Sequence, residues 1–301
     1  MIGARTRLVG LIGWPVAHSL SPAMHNAAFE AAGLDWRYVP LPVRPDQVGA
    51  AVAGLPALGF AGANVTVPHK QAVLPYLQHL SPDVRALGAA NTLAVREGEG
   101  GLPVLVGLNT DHSGFIQALR DAGLEPLGCR ALVLGAGGSA RAVVYALIAA
   151  GAAAVTVLNR SEERARALTT DLAPVNKETV LRTGPLTFAA LAGLADQLTA
   201  ADLLVNATTI GMEPAVHESP WPAGLALPSH LTVFDLVYRP RRTRLLAQAE
   251  AAGAQAIGGL GMLVHQAAQA FEIWTGQKAP IDVMWQAGDE HLDPTTIPHR
   301  R

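Results

Sequence analysis

Apolar and polar positions fall along the chain in two α/β series. In the first, Leu8–Ile12 is an apolar run that predicts a strand, and Ala23–Ala32 repeats apolar residues at helical spacing until Gly33 stops it. Trp36–Val43 predicts extended chain, Pro45–Leu55 a helix, and Ala63–Val67 a further strand. Strands separated by short helices predict a parallel sheet covered on both faces. Thr92–Arg96 and Val104–Leu108 flank the glycine-rich Gly98–Gly101 and predict a hairpin that closes this unit.

The second series begins near Asp111–Phe115. Strands are predicted at Ala131–Leu134, Val155–Leu158, Leu203–Asn206, Thr232–Leu236 and Gln255–Ile257, with helical patterns between most of them, followed by the long apolar-faced segment Met262–Thr275. The tail after Asp289 is polar, carries Pro294 and Pro298, and predicts a frayed end. Ala142–Leu158 carries no charge, but it is shorter than the roughly 20 apolar residues of a membrane span and Gly151 interrupts it. It predicts a helix, a glycine stop and a short strand, so no membrane partner is expected.

Composition narrows the class. The chain has 301 residues, enough for two domains, and is 50% hydrophobic but only 5% aromatic, so its cores must be aliphatic. A formal net charge of -2 without a basic run excludes the phosphate-neutralising stripe of a nucleic-acid binder. Cys129 is the single cysteine, so no intrachain disulfide can form; it precedes an apolar strand and reads as packing. Met1–Leu11 has two arginines but no extended apolar core behind them, unlike a secretory signal. A cytoplasmic location is the expectation, and no metal is expected.

One glycine-rich loop carries recognisable chemistry. Leu132–Leu134 leads into Gly135, Ala136, Gly137, Gly138, Ser139 and Ala140, a strand, turn and helix start of the form G-x-G-x-x-A. The first glycine allows the tight turn, the second lets a pyrophosphate approach, and the small residue at 140 lets helix and strand pack closely. The helix N-terminus presents unpaired N–H groups to the phosphates. An NAD site usually ends the next strand in an acidic residue that holds the ribose, whereas this chain has Asn159, Arg160 and Ser161, with Arg164 one turn on. A guanidinium suits a 2′-phosphate, which favours NADP; the bland reading of Arg160 is a solvated loop arginine.

The first series holds two further segments of interest. In His18-Ser19-Leu20-Ser21-Pro22, Ser21 suits a helix N-cap and Pro22 the first helical position, yet two hydroxyls there also make a carboxylate cradle. In Asn64-Val65-Thr66-Val67-Pro68-His69-Lys70, read as a strand running into a helix, the polar residues at 64 and 66 share one strand face, which is expensive in a dry core. Of 22 basic residues only Lys70, Lys177 and Lys278 are lysines, and an ammonium, unlike a guanidinium, can surrender a proton. Asp111 follows the last strand. It either caps the helix that begins at His112 or pairs with Lys70 as a proton-transfer couple.

Taken together, HSLSP at 18–22, NVTVPHK at 64–70, GAANT at 88–92, NTD at 109–111, GAGGSARA at 135–142, NR at 159–160, NAT at 206–208 and GLGMLVHQAA at 259–268 resemble the shikimate dehydrogenase family, over nearly the whole length. The resemblance implies an N-terminal α/β substrate domain and a Rossmann-type doubly wound NADP-binding domain with a cleft between them. Residues 1–111 plus about 262–301 would form the first and about 112–261 the second. It implies NADPH-dependent reduction of 3-dehydroshikimate to shikimate in aromatic amino-acid biosynthesis, by a monomer or homodimer.

The resemblance also implies that Ser19 and Ser21 hold the substrate carboxylate and that Asn64, Thr66, Lys70, Asn91, Asp111 and Gln266 bind its hydroxyls. Lys70 is then the acid–base residue, with Asp111 orienting it. Tyr238 approaches the substrate, Gly259 and Met262 border the nicotinamide, and Asn159, Arg160 and Ser161 meet the adenosine phosphate. Three positions depart from the family pattern: Ala90 for a larger aliphatic, Ser161 for threonine, and His112 for a small residue. The rival readings are a relaxed quinate/shikimate dehydrogenase using NAD and a non-catalytic dinucleotide sensor.

Overall fold

The structure is a computed structural model that describes residues 2–176, 178–187, 193 and 198–292. Two compact units emerge: one runs to Asp111 and resumes at Val264, and the other is His112–Leu263.

The first unit holds six strands, β1 (Arg7–Gly13), β2 (Trp36–Pro42), β3 (Phe60–Val65), β4 (His79–Leu80), β5 (Thr92–Glu97) and β6 (Pro103–Leu108). They lie in the order β2-β1-β3-β5-β6-β4. β1 pairs in parallel with β2 and β3, but β5 runs antiparallel to both β3 and β6. The sheet is therefore mixed: the β5–β6 pairing is the hairpin expected there, while the antiparallel β3–β5 pairing departs from the parallel sheet that the alternation of elements predicted. The chain between β3 and β5 carries β4 and the short helix Pro82–Leu87, and β5 enters the sheet as the first arm of its hairpin with β6.

Beside this sheet lie α1 (Ser21–Ala31) and α2 (Val48–Ala57), with α3 (Pro82–Leu87) in the connection. Val48, Val52, Leu55, Ile12, Ala63, Val65 and Leu93 form one aliphatic core. A second, aromatic contact brings in the end of the chain. Phe29 stacks on Phe271 at 5.2 Å, and the Trp274 indole N–H donates to the Leu93 carbonyl at 2.9 Å. Gly62 is required here, because a Cβ would collide with the Leu93 carbonyl and the Trp274 indole nitrogen.

In the second unit, β7 (Arg130–Leu134), β8 (Ala154–Asn159), β9 (Val180–Pro185), β10 (Leu203–Asn206), β11 (Thr232–Asp235) and β12 (Gln255–Gly258) are all parallel, in the order β12-β11-β10-β7-β8-β9. Counted within the unit this is 6-5-4-1-2-3, the doubly wound dinucleotide order, with its switch point between β7 and β10. Alternate residues explain the continuous apolar runs. Val133, Val155, Val157, Val205 and Phe234 enter one core, while Leu132, Leu134, Leu158, Leu204 and Val233 enter the other.

The helices are α4 (Asp111–Asp121), α5 (Gly138–Ala149), α6 (Glu162–Leu172), α7 (Arg244–Ala251), α8 (Leu260–Thr275) and α9 (Ile281–Leu292). β9 was not legible in the sequence: an edge strand buries little, and Val180 is 48% exposed. The polar tail is helical as far as Leu292, beyond the expected break at Asp289, because Met284, Ala287 and Leu292 are buried. Pro294, Pro298 and the rest of the tail lie outside the described residues. Among those described, no helix is long and apolar enough to cross a membrane.

Candidate functional site

The polar residues of the first unit converge at the ends of β3, β5 and β6. Lys70 does not open a helix as its sequence context predicted. Past β3 the chain makes successive turns and reaches only the single 3₁₀ turn Leu74–Tyr76. The segment is pinned instead by hydrogen bonds along its length. Thr66 N–H donates to the Ile12 carbonyl at 2.8 Å, His69 N–H to the Thr66 carbonyl at 2.9 Å, and Ala90 N–H to the Lys70 carbonyl at 2.8 Å.

From there Lys70 Nζ donates to Asp111 Oδ2 at 2.6 Å, with the two side chains only 11% and 6% exposed. Asp111 Oδ1 accepts from Asn91 Nδ2 at 2.8 Å. Both carboxylate oxygens thus face the site, and the Asp111 N–H is taken by Asn109 Oδ1 at 3.0 Å. The alternative of Asp111 as a helix cap finds no bond to support it. A buried ion pair of this kind survives desolvation only with such additional hydrogen bonds.

Asn91 is the hub. Its amide N–H groups also reach Thr110 Oγ1 at 2.9 Å and Gln266 Oε1 at 3.3 Å, while its Oδ1 accepts from Thr110 N–H at 2.7 Å. Asn64 Oδ1 accepts from the Tyr38 hydroxyl at 2.9 Å, and Asn64 Nδ2 donates to the Asn91 carbonyl and Thr92 Oγ1, both at 3.1 Å. Asn64 is therefore engaged through both its amide oxygen and its amide nitrogen, while Thr66 lies just past the end of β3 and is held through its backbone. Sequence reasoning gave no role to Tyr38, or to Thr92, Asn109 and Thr110, which it noted only as members of the GAANT and NTD motifs.

At the start of α1, Ser21 is not the cap that its position suggested. Leu20 occupies that place with helical dihedrals, Ser21 is the first helical residue, and the Ser21 N–H donates to Ser19 Oγ at 3.2 Å. Proline after Ser21 supplies the preset φ, so no side-chain cap is needed. On the inner face of α1, His25 is fully buried and stacked on Tyr38 at 4.4 Å. Burial pushes its pKa down to about 3, and the Asn64 amide opposes that shift only weakly.

In the second unit the glycine loop lies at the switch point. Gly135 has φ +112°, and a Cβ there would stand 2.9 Å from the Ala207 carbonyl oxygen. A Cβ on Gly137 would meet nothing within 4 Å, so this is where a pyrophosphate can approach the backbone. Ala140 is completely buried, and no side chain caps the N-terminus of α5. Ala136 is half-buried, and Gly138 and Ser139 form the first turn of α5.

At the end of β8, Asn159 Nδ2 donates to the Ser161 carbonyl at 2.9 Å and Ser161 Oγ caps α6 by accepting from the Arg164 N–H. Arg160 and Arg164 are exposed and no carboxylate holds either guanidinium among the described residues, whereas Arg166 pairs with Glu162 at 2.6 Å. The residues present fit a dinucleotide carrying an extra phosphate. His112, the departure beside Asp111, packs edge-on against Tyr145 at 5.4 Å.

Gly259 has a packing reason of its own, since a Cβ would collide with the Leu236 carbonyl. Met262 is buried in the core beside Phe234, and Tyr238 is half-buried in the loop after β11. Two residues went unnoticed at the sequence level. Asn206 and Asp235, completely buried at the ends of β10 and β11, are joined at 2.8 Å. The motif around Asn206 was visible, but nothing in it told of a carboxylate 29 residues away.

Three family models match: shikimate dehydrogenase substrate binding domain over residues 11–93, shikimate / quinate 5-dehydrogenase over 122–237, and shikimate 5'-dehydrogenase C-terminal domain over 259–287. The shikimate dehydrogenase (NADP(+)) of Moorella thermoacetica is 47% identical over 285 residues, covering 94% of this chain and 92% of that protein. Shikimate 5-dehydrogenase from Thermus thermophilus, solved with NADP(H) and shikimate, superposes with a TM-score of 0.81 at 39% identity, covering 95% of this chain and 100% of the other. Quinate dehydrogenase from Corynebacterium glutamicum, solved with NAD, has a TM-score of 0.80 at 34% identity, covering 94% and 98%.

Proposed function

Because the chain belongs to the shikimate dehydrogenase family, we propose that it reversibly reduces 3-dehydroshikimate to shikimate with NADPH, an oxidoreductase reaction at a CH–OH carbon of the aromatic amino-acid route. The observation that carries this reading is the buried Lys70–Asp111 pair at 2.6 Å, fastened through Asn91 to Gln266.

Each residue has a task. The hydroxyls of Ser19 and Ser21 hold the substrate carboxylate. Asn64, Thr66, Asn91, Asp111 and Gln266 bind its ring hydroxyls, and Tyr238 approaches it from the loop after β11. Lys70 Nζ gives its proton to the ketone oxygen in reduction and takes the hydroxyl proton in oxidation. Asp111 holds the ammonium in place and keeps its charge balanced.

NADP(H), when bound, supplies or accepts the hydride. The turn Gly135–Ala140 would hold its pyrophosphate, Asn159, Arg160, Ser161 and Arg164 its adenosine phosphate, and Gly259 and Met262 would border its nicotinamide. The absence of an acidic residue at the end of β8 favours NADP over NAD.

The direct test follows NADPH formation spectrophotometrically from shikimate and NADP+, with quinate and NAD+ in parallel. Turnover of shikimate with NADP+ is the expected result. Preferential turnover of quinate with NAD+ would reassign the chain to the relaxed branch, and absence of any turnover with tight NADPH binding would leave a sensor.

A further inference from the structure

Asp235 ends β11 with its carboxylate completely buried, and no cation reaches it among the described residues. Its partners are neutral. Oδ1 accepts from Asn206 Nδ2 at 2.8 Å and from the Val237 N–H at 3.0 Å, and Oδ2 accepts from the Thr243 hydroxyl at 2.6 Å. Burial pushes the carboxyl up to about 6, against those three hydrogen bonds pulling it down. A buried charge without a counter-charge is an expensive fastener, so the question is what it fastens.

The bonds lead outward to the coenzyme loop. Asn206 Oδ1 accepts from both the N–H and the hydroxyl of Thr208, at 3.0 and 2.7 Å, and Thr208 Oγ1 accepts from the Ile210 N–H at 3.1 Å. This shapes the loop after β10, whose Ala207 carbonyl lies against Gly135. On the other side, Val237 and Thr243 bracket the loop after β11, which carries Tyr238 and touches Gly259 through the Leu236 carbonyl.

We propose that Asp235 is a positioning residue for the coenzyme, locking the loops after β10 and β11 together so that Ala207 sets the Gly135 turn and Leu236 sets Gly259. The inference rests on reading Gly135–Ala140 as the coenzyme loop. Chemistry explains why the residue is ionised. Thr243 Oγ1 already accepts the Leu246 N–H at 3.2 Å as the cap of α7, so its proton must go to an acceptor. Asn206 and Val237 bring two more donors. A carboxylate receives all three, whereas an amide would turn an N–H toward the Thr243 hydroxyl and force that hydroxyl to send its own proton elsewhere.

The test is NADPH affinity, measured by fluorescence titration on wild type, Asp235→Asn and Thr243→Val. The expected result is a coenzyme Kd raised about tenfold in D235N and about threefold in T243V, with kcat at saturating coenzyme reduced less than about threefold. Folding is checked by circular dichroism. A fastener with a purely structural role would lower Tm and leave the Kd where it was, so folded D235N with wild-type NADPH affinity overturns the inference, as does an equal loss of kcat and affinity. A wild-type chain that does not bind NADPH overturns the coenzyme reading itself, and this inference with it.

Discussion

Each unit buries a carboxylate at the end of its sheet, and the two are held in contrasting ways. Asp111 has an ammonium at 2.6 Å and an amide at 2.8 Å. Asp235 has only neutral donors, and its pKa stands at about 6. The difference teaches that burial raises the cost of a charge anywhere, but proton transfer needs a partner with a proton to exchange. Lys70 provides that beside Asp111, and nothing provides it beside Asp235.

The largest expected effect tests the charged pair. Lys70→Ala should lower kcat by about 10²- to 10⁴-fold, the usual contribution of a positioned acid–base group, while NADPH affinity stays at the wild-type level. Stopped-flow and titration measurements separate the two, and a rate within about tenfold of wild type would erase the distinction between the carboxylates. A smaller effect belongs to the coenzyme half. Arg160→Ala should raise the KM for NADP+ by about tenfold to a hundredfold through loss of charge-assisted bonds to the 2′-phosphate, without changing the KM for NAD+. An equal change with both coenzymes would show that Arg160 does not read the phosphate.

A further effect concerns stability, and it sets a second buried group against Asp235. His25 has its folded-state pKa lowered from 6.5 to about 3, so its stabilising contribution is complete above pH 6.5 and is lost as the pH falls toward 3. Asp235 has a raised pKa, from 3.8 to about 6, so stability falls as pH rises through that window and is flat above it. The two slopes oppose each other where they overlap. His25→Leu should remove only the first, so the unfolding free energy of the variant relative to wild type should improve by up to about 1.4 kcal/mol per pH unit on acidification below about 6.5. Urea titrations of both proteins across that range measure it, and a difference independent of pH would refute the assignment.

Much of this architecture is legible in the residues because it depends on local patterns. The second sheet reads clearly, since Leu132–Leu134, Val155–Leu158 and Leu203–Asn206 are buried on both faces and are apolar but for Thr156 and Asn206. The coenzyme loop reads clearly because Gly135 and Gly137 answer to backbone geometry at fixed spacing. What escapes depends on distant partners. The antiparallel pairing of β5 with β3 joins residues far apart in the chain, and the turns at Lys70 are held by backbone bonds to Ile12 and Ala90. Asp235 resembles any strand-ending acid until Asn206 and Thr243 are seen around it. Ser21 misleads for the opposite reason, because a good local cap signal is made unnecessary by the proline beside it.

The chain order of the first unit has a consequence for biosynthesis. α1 packs against α9, Phe29 against Phe271, and Trp274 closes over Gly62 and the Leu93 carbonyl. The opening 111 residues therefore leave the ribosome without the segments that complete their core, and they must wait while all of His112–Leu263 is translated. That middle stretch is continuous and can fold as it emerges. The half made first is thus the half finished last, and a nascent chain stopped before Phe271 would carry a mature coenzyme unit joined to an open, aggregation-prone sheet.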